Sequence, residues 1–470
     1  MKPEKHNTLE PFFEPRGVAV IGSMREPMGE GLTLIRNMLE FGFSGKVYPI
    51  SRSSAQVLGL RAYPNVNDIS GPIDLACVIT PPSTVIPIIE QCGEKHIKAV
   101  IVSTEGYAEV GAEGVRQQRQ LVETAHRHGI RILGPNTLGV YNSANSLITD
   151  PYPIGRNKPL RGGISYASQT GLLTFGVHPI KDHGYPINKI FDFGNKSDVN
   201  ELDLLPYLAD DATTNVICLH LEDIRDGQGF LDFASRAAAR KPVLLYKPGR
   251  SEAGARAASS HTGSLAGDDQ VYDSAFKQAG VIRLRTWQEF WEIPKTLSMQ
   301  PLPKGNRIAV VTATGGGGVI SMDAAAEAGL AAAPFSANSV SELNRLSPRL
   351  TKNPIDVGPL MSIRQSPFGI YEDVVPIILR DPHVDCAAFI CHVSPPIVDV
   401  FTRLAPEISK LGKPVTIFAY GIDLADMRES ARKLEAHGLP VYLDLETAVK
   451  ALGVAAAYFQ AKARLEENTL

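Results

Sequence analysis

The sequence has no apolar run long enough to cross a bilayer, and its first residues, Met1 to His6, contain no apolar stretch of signal-peptide type. Its five cysteines lack the spacing of metal ligands, and most stand in apolar, strand-like runs: Cys77, Cys92, Cys218, Cys386 and Cys391. We therefore expect no metal site and no membrane segment. The cysteines are expected to be buried free thiols in a reducing cytoplasm.

The chain also has little excess charge of either sign. Its 47 lysine and arginine residues and 50 aspartate and glutamate residues give a formal net charge of -3. This balance argues against nucleic-acid binding, although a local basic pocket for an anionic cofactor remains open. At 470 residues, with 44% apolar and 21% charged side chains, the chain suits three globular domains of about 150 residues each.

Short β-branched runs alternate with longer amphipathic stretches along the whole chain. This pattern is typical of α/β folds, in which parallel sheets are covered by helices. Segments containing proline and glycine, at residues 150–163 and 300–305, interrupt the alternation twice. We therefore predict three α/β domains, at residues 1–150, 160–298 and 305–470.

Three of the predicted strands end in small-residue turns that open helices. In such turns the backbone N–H groups and the positive helix end can hold a phosphate. The turns are Gly22-Ser23-Met24, Ser168-Gln169-Thr170-Gly171 and Gly315-Gly316-Gly317-Gly318. Glycine disfavours helix by roughly 1 kcal/mol relative to alanine, so four glycines at a helix start favour close approach of a ligand or partner backbone. Tight packing alone is the alternative at the first and third turns.

The first turn does not match the pattern of NAD-binding proteins. It lacks a strict G-x-G-x-x-G, and the second predicted strand ends in Ser51-Arg52-Ser53 where those proteins carry an acidic residue. This basic ending disfavours the ribose contact of NAD and better suits a phosphorylated ribose. An NAD-dependent oxidoreductase is therefore a disfavoured alternative.

His261 lies in a small-residue segment, Ala257 to Gly267, which we predict to be a loop. Glycine, serine and alanine let the backbone approach a charged group, and imidazole is nucleophilic near neutral pH. Phosphoryl transfer through a phosphohistidine is the first hypothesis for this residue. A histidine that only caps or packs is the alternative.

Eight segments together resemble the α subunit of the ADP-forming acyl-CoA synthetases and, more distantly, that of succinyl-CoA synthetase. In family order they are FEPRGVAVIG from Phe13, LGLRAYP from Leu58, GPNTLG from Gly134, SQTG from Ser168, GNKSDV from Gly194, EDIRDG from Glu222, SSHTGSLAG from Ser259 and KNPID from Lys352. The resemblance covers nearly the whole chain. It implies an N-terminal Rossmann-like CoA-binding domain followed by two flavodoxin-like ligase domains.

The resemblance also implies which residues form the sites. It assigns the binding of coenzyme A to residues at the strand ends of the first domain: Gly22, Ser23, Met24, Arg52, Pro81, Thr104, Glu105 and Asn136. The turns at Ser168, Gln169, Thr170 and Gly171 and at Gly315, Gly316, Gly317 and Gly318 would hold phosphate. His261 would be the phosphorylated residue and Glu222 the acid that holds its imidazole.

The family reaction reversibly converts a carboxylic acid, CoA and ATP to acyl-CoA, ADP and phosphate through acyl phosphate and phosphohistidine. No segment here offers an ATP-grasp unit, so the resemblance implies a separate ATP-grasp β subunit that binds ATP or ADP with Mg²⁺, in a hetero-oligomer of α2β2 type. Gly249, Gly254 and Gly263 could let the histidine segment swing between two sites. A CoA- or acyl-CoA-binding regulatory module without catalysis is the alternative.

Two departures from the family pattern affect expected sites. Ser51-Arg52-Ser53 replaces the usual Asn-Pro-Lys after the second strand, so Arg52 would take over a phosphate contact with CoA. Ala313 and Gly317 replace an asparagine and a proline in the turn of the third domain. Loss of that amide side chain would alter the selectivity for the small carboxylic acid substrate.

Overall fold

The computed structural model describes residues 8–154, 160–173, 184–262 and 268–467, with only the backbone at 173 and 258–262. The chain divides into two compact units, Met1–Ala279 and Gly280–Leu470. Among the described residues, no helix combines the length and the apolar composition needed to cross a membrane. All five cysteines are buried free thiols, as expected. The α/β class is confirmed, whereas the division into three domains stays a prediction.

The first unit contains two sheets with their helices. In chain order its elements are α1 (Glu10–Phe13), β1 (Gly17–Gly22), α2 (Glu30–Phe41), β2 (Lys46–Ile50), β3 (Gln56–Val57), β4 (Leu60–Arg61), β5 (Leu75–Ile79), α3 (Pro82–Glu94), β6 (Ala99–Val102), α4 (Ala112–Arg127), β7 (Arg131–Leu133), β8 (Val140–Asn142), β9 (Leu147–Ile148), β10 (Leu160–Ser168), β11 (Pro186–Asp192), α5 (Glu201–Asp210), β12 (Val216–His220), α6 (Gly227–Ala238), β13 (Val243–Tyr246), α7 (Glu252–Thr262) and α8 (Asp269–Gln278).

The first sheet has five parallel strands in the order β2-β1-β5-β6-β7. Its strands read as uninterrupted apolar runs because helices cover both faces, and Val18, Ala19 and Val20 of β1 are fully buried. Strand β1 lies between β2 and β5, so the chain passes from β1 to its neighbour β2 on one side and later reaches β5 on the other side. The connections therefore diverge there and leave a crevice at the carboxyl ends of the strands.

The second sheet extends in the order β13-β12-β10-β11-β8-β9 within the first unit. Strand β10 lies between β11 and β12 and is parallel to both, so a second divergence of connections falls at its carboxyl end, after Ser168. Strand β8 pairs antiparallel with β11. Residues 140–148, which we predicted to belong to the first domain, thus extend the sheet of the next one.

The GNKSDV segment ties these two sheets together. The carboxylate of Asp198 accepts hydrogen bonds from the backbone N–H of Ile132 at 2.7 Å and from Arg131 Nε at 3.0 Å, both in the last strand of the first sheet. Near the N-terminus, the ring of Phe13 stacks on Tyr207 of α5 with centroids 5.1 Å apart. The two sheets of the first unit are therefore held by specific polar and aromatic contacts.

The second unit is built around one parallel sheet in the order β16-β15-β18-β19-β20, with β17 also paired to β15. Its elements are β14 (Ile282–Leu284), α9 (Trp287–Glu292), α10 (Pro294–Met299), β15 (Arg307–Thr312), α11 (Gly315–Glu327), β16 (Ala331–Ala332), α12 (Ala337–Leu346), β17 (Ile355–Asp356), α13 (Gly358–Met361), α14 (Ile370–Arg380), β18 (Cys386–His392), α15 (Pro395–Leu411), β19 (Val415–Tyr420), α16 (Leu424–Glu435), β20 (Val441–Tyr442) and α17 (Leu445–Glu467). Helices α14 and α15 cover one face, where Tyr371 packs on Phe401, while α11 and α17 cover the other.

A buried ion pair joins α10 to α16 in the second unit. Lys295 Nζ lies 2.9 Å from Glu435 Oε1, and each side chain is only 4% exposed. The same carboxylate oxygen accepts a hydrogen bond from the backbone N–H of Val441 at 3.3 Å. Glu292 is a second and more distant partner of Lys295, at 3.4 Å, so removal of Glu435 would leave the buried charge of Lys295 with weaker compensation.

We expect Glu435→Leu to lower the free energy of unfolding by about 3 kcal/mol, because the buried charge of Lys295 would keep only its longer ion pair with Glu292. Denaturant unfolding of the full chain measures this change. Glu429→Leu, which breaks the exposed pair with Lys433 on the same helix, is the control and should have little effect. Equal losses in the two variants would contradict the prediction.

Candidate functional site

A cleft of about 1290 Å³ opens at the carboxyl edge of the first sheet. Its walls come from the segments that follow β1, β2, β5 and β6, where the diverging connections leave the crevice. All the residues expected to bind CoA line it: Gly22, Ser23, Met24, Arg52, Pro81, Thr104, Glu105 and Asn136. The fold thus brings together residues that lie far apart in the sequence.

Gly22 makes the turn after β1 compact. A Cβ atom at this position would lie 2.5 Å from Ile79 Cγ2 and 3.2 Å from the Cα of Gly31. A side chain there would force Ile79 and Gly31 to move, so glycine lets the start of α2 pack closely against the strand. The packing alternative therefore accounts for Gly22, while Ser23 and Met24 beside it face the cleft.

Hydrogen bonds fix the wall of the cleft between β5 and β6. Thr104 Oγ1 donates to the carbonyl of Thr80 at 2.7 Å and accepts from its N–H at 3.2 Å. The backbone N–H of Asn136 donates to the carbonyl of Thr104 at 3.0 Å. Asn136 has a φ of +59°, a conformation that asparagine adopts more readily than most residues. This wall is therefore set before any ligand enters.

Polar groups on two sides of the cleft suit an anionic ligand. Ser51 Oγ accepts from the backbone N–H groups of Ser53 and Ser54 at 3.3 and 3.2 Å, which forms a turn that leaves Arg52 exposed at the cleft. On another wall the buried hydroxyl of Ser103 has no hydrogen-bond partner among the described residues. Ser103 was not predicted from the sequence, although its place directly after strand β6 resembles that of Thr104.

The turn after β10 reaches the same cleft. Thr170 and Gly171 line it together with the residues expected to bind CoA. The hydroxyl of buried Ser168 accepts from the N–H of Thr170 at 2.9 Å and contacts its carbonyl oxygen at 3.0 Å. The Ser168 side chain thus closes the turn, and Thr170 and Gly171 are the part of the predicted phosphate turn that faces the cleft.

The carboxamide of Gln169 holds the segment that follows β12. Its Oε1 accepts from the backbone N–H groups of Glu222 and Asp223 at 2.7 and 3.1 Å, and its Nε2 donates to Asp223 Oδ1 at 2.6 Å. Lys247 Nζ donates to the carbonyl of Glu222 at 2.8 Å. The backbone of Glu222 is therefore fixed at both its N–H and its carbonyl group.

Asp223 is the centre of a buried charge cluster beside this segment. Lys196 Nζ lies 3.1 Å from Asp223 Oδ1, and Arg225 Nε lies 3.0 Å from Oδ2. Burial raises the pKa of Asp223, but the two cations and the hydrogen bond from Gln169 together lower it more, so the pKa lies below its ordinary value. The cluster keeps Asp223 ionised and so maintains its bond to Gln169.

His261 belongs to helix α7, and the prediction of a loop at this residue is wrong. The alanines that precede it are strong helix formers, and Ser251 Oγ accepts from the N–H of Gly254 at the start of the helix. The side chain of His261 and residue Gly263 lie outside what the structure describes. The pairing of His261 with Glu222 stays a prediction, as does the hinge role of Gly249, Gly254 and Gly263.

The turn after β15 has the same construction as the turn after β10. Thr312 Oγ1 accepts from the N–H of Thr314 at 3.0 Å and donates to its carbonyl at 2.7 Å, as Ser168 contacts Thr170. Thr314 Oγ1 then accepts from the N–H of Gly317 and caps α11. Strands β10 and β15 thus each end in a hydroxyl residue that shapes the turn after it.

Packing explains only two of the four glycines in this turn. A Cβ at Gly317 would lie 2.8 Å from Thr314 Oγ1, and one at Gly318 would lie 3.0 Å from Pro354. At Gly316 no described atom lies within 4 Å of such a Cβ, and at Gly315 the nearest lies 3.5 Å away. Gly315 and Gly316 are not required by the fold, which favours a role in ligand approach.

Asp192 is a further residue of the cleft that the sequence analysis missed. It is 2% exposed at the end of β11, and its carboxylate accepts from the N–H groups of Leu138 and Gly194 at 2.7 and 3.3 Å. Burial raises its pKa to about 6, although these two bonds lower it. Nothing in the sequence around Asp192 distinguishes it from an ordinary acid at a strand end.

Comparisons with known proteins agree with this geometry. The family model described as "CoA binding domain" matches residues 16–143, and the one described as "Succinyl-CoA ligase like flavodoxin domain" matches residues 161–297. The α subunit of acetate–CoA ligase [ADP-forming] II from Pyrococcus furiosus is 37% identical, and the match covers 92% of this chain and 94% of that protein.

Longer relatives and solved structures give the same result. Acetate–CoA ligase [ADP-forming] II from Archaeoglobus fulgidus is 35% identical, and the match covers 97% of this chain and 68% of that protein. Acetyl-coenzyme A synthetase 1 of Ca. Korarchaeum cryptofilum, solved with phosphate and ADP, superimposes with a TM-score of 0.89 at 32% identity and covers 98% of this chain and 99% of that chain. The resemblance found in the sequence is confirmed.

Gln169→Leu should lower the free energy of unfolding, because the N–H groups of Glu222 and Asp223 would lose their acceptor. A buried amide without an acceptor costs about 1–3 kcal/mol. Denaturant unfolding measures the loss. Gln270→Leu, at an exposed site, is the control. An unchanged stability of Gln169→Leu would show that water replaces the carboxamide without cost.

Asp192 should make stability depend on pH in a defined direction. Its pKa rises from 3.8 in a free carboxyl group to about 6 in the fold, so the folded state binds the proton more tightly. The resulting stabilisation is present at low pH and is lost as the pH rises through about 6. Between pH 4 and pH 8 the stability of the wild type relative to Asp192→Asn should fall by about 2–3 kcal/mol. A constant difference over this range would contradict the shift.

Proposed function

Since the chain belongs to the family of ADP-forming acetate–CoA ligase α subunits, we propose that it acts with a separate ATP-grasp β subunit through a phosphorylated His261. The chain is a subunit of an acid–thiol ligase. The observation that carries the proposal is the meeting of the CoA-site residues with Thr170 and Gly171 in one cleft. A thioester and a phosphate could react only if both were held at such a place.

The cleft has the chemical groups that CoA requires. Arg52 and Arg25 supply positive charge for its phosphates. The hydroxyl of Ser103, which has no partner among the described residues, is a buried hydrogen-bonding group that a polar ligand could satisfy. The compact turn at Gly22 leaves the backbone of Ser23 and Met24 accessible from the cleft. These features support binding of CoA at the eight residues assigned by the resemblance.

The proposed reaction consists of three reversible transfers. A phosphate oxygen attacks the thioester carbonyl, the C–S bond breaks, and CoA leaves as a thiolate that takes up a proton. An imidazole nitrogen of His261 then attacks the phosphorus of the acyl phosphate and releases the carboxylate. Finally, the terminal oxygen of ADP, bound with Mg²⁺ on the partner, takes the phosphoryl group and regenerates the imidazole.

In this scheme Glu222 orients His261. A carboxylate that accepts from one imidazole N–H fixes the tautomer and makes the other nitrogen a better nucleophile. The bonds from Gln169 and Lys247 hold the Glu222 backbone, which supports a fixed direction for its carboxylate. Phosphate is proposed to bind at the turns after β10 and β15, at Thr170-Gly171 and Gly315-Gly316.

Two observations support a separate partner. The relative from Pyrococcus furiosus that matches over nearly its full length is named an α subunit. The Archaeoglobus fulgidus relative is longer, and about a third of it lies outside the match. We propose that the nucleotide-binding ATP-grasp unit is a second chain here, in an α2β2 assembly.

Labelling with ATP tests this function directly. The chain, mixed with an ATP-grasp β subunit of the family and γ-labelled ATP, should acquire acid-labile phosphate, because phosphohistidine hydrolyses in acid. His261→Ala should acquire none, and Glu222→Gln should be labelled at least tenfold more slowly. Loss of the label when the carboxylic acid substrate and CoA are added would confirm turnover.

The control is His128→Ala. His128 lies at the C-terminal end of α4, and the variant should be labelled like the wild type. Labelling of His261→Ala at the wild-type level would contradict the proposal. Absence of label in the wild type with a β subunit that is active with another α subunit would favour the regulatory CoA-binding module instead.

A further inference from the structure

The proposed reaction needs a group in the cleft of the first unit that takes up or supplies the proton of the CoA thiol. A thiol has a pKa of about 8.5 and attacks as the thiolate, so near neutral pH its proton must go to a base. The described residues that line the cleft include no histidine and no cysteine. Apart from arginines, the side chains there that could exchange a proton are Glu30, Glu105, Tyr152 and Asp192.

Asp192 differs from the other three side chains in its burial. Glu30, Glu105 and Tyr152 are exposed, whereas Asp192 is 2% exposed. A carboxylate that is removed from water is a stronger base than a hydrated one. Burial raises the pKa of Asp192 to about 6, so the group is mainly ionised at neutral pH and can accept a proton there.

Asp192 also lies where the wall of the CoA site meets the turn after β10. Its Oδ2 accepts from the N–H of Leu138 at 2.7 Å, and its own N–H donates to the carbonyl of Gly139 at 2.9 Å. Leu138 lines the cleft two residues after Asn136. On the other side, Asp192 is the register partner of Ser168, whose side chain closes the turn proposed to hold phosphate. A thioester and a phosphate in this cleft would therefore meet beside Asp192.

Two ionisable side chains surround this carboxylate. Asp150, which follows β9, acts on Asp192 with a like charge and raises its pKa. His220 is the register partner of Ser168 on the opposite side, and its Nδ1 lies 3.2 Å from Ser168 Oγ. Neither Asp150 nor His220 is among the residues that line the cleft. Asp192 is thus the member of this group that a ligand in the cleft would reach.

From this geometry we propose that Asp192 is the general base for the CoA thiol and so a catalytic residue of the step that forms the thioester. In acyl-CoA synthesis its carboxylate takes the S–H proton while the sulfur attacks the carbonyl carbon of the acyl phosphate, and the C–O bond to phosphate breaks. In the reverse direction protonated Asp192 returns the proton to the sulfur as the C–S bond breaks. This inference rests on the proposed function, in which CoA and phosphate meet in this cleft.

Partial reactions of the complex with an ATP-grasp β subunit separate this step from the others. The first is labelling of the chain by ATP, the second is loss of label to a carboxylic acid without CoA, and the third is thioester formation when saturating CoA is added. The acid is the first of acetate, phenylacetate and succinate that the wild-type complex converts. In Asp192→Asn the first two rates should stay within twofold of the wild type, and the third should fall about 100-fold or more at pH 7.

The pH dependence of the third step gives a readout that a merely structural role would not change. In the wild type its rate should rise up to about pH 6, where Asp192 becomes ionised, and then stay level. In Asp192→Asn it should rise about tenfold per pH unit from pH 6 to pH 8, because the thiolate must form without a base. Parallel profiles in the two proteins would overturn the proposal. If the variant does not fold, a wild-type profile without a change of slope between pH 5 and pH 7 would also overturn it.

Glu30→Gln is the matched control. Glu30 lines the same cleft but is exposed at the start of α2, so its loss changes the charge of the cleft without removing the proposed base. Its third step should stay within twofold of the wild type, and equal slowing in both variants would show an effect of charge alone and overturn the proposal. Thioester formation at the wild-type rate in Asp192→Asn contradicts only the assignment of Asp192. A wild type that is not labelled, or that converts none of the three acids, contradicts the proposed function.

Discussion

The carboxamide of Gln169 connects the parts of the first unit on which the proposed chemistry depends. It lies at the end of β10 and binds two backbone amides after β12, so it fixes the segment that contains Glu222 relative to the turn that faces the cleft. The charge cluster around Asp223 reinforces this bond from the other side. Any displacement of Gln169 would move an acid and a turn together, although they lie more than 50 residues apart.

The carboxyl edge of each sheet could be predicted from the sequence because its signals are local. A β-branched run followed by glycine, threonine or asparagine marks a strand end, and the parallel topology then places such ends at one edge. This is why all the residues assigned to CoA, from Gly22 to Asn136, line a single cleft. The equivalent turns after β10 and β15 were identified for the same reason.

Other features depend on partners distant in sequence, and no local pattern reveals them. The raised pKa of Asp192 comes from its burial, and the pairing of β8 with β11 joins segments assigned to different domains. The error at His261 has another cause. Its glycines and serines suggested a loop, but the alanines before them favour helix, and the helix extends to Thr262.

The open space around Gly315 and Gly316 has a consequence for how sequences of this kind can diverge. A side chain added there meets no close contact in the described structure, so the fold places little constraint on these two positions. Gly317 and Gly318, by contrast, are constrained by their neighbours. Variation at the first pair would therefore reveal a change of ligand, whereas variation at the second pair would require a change in the surrounding packing.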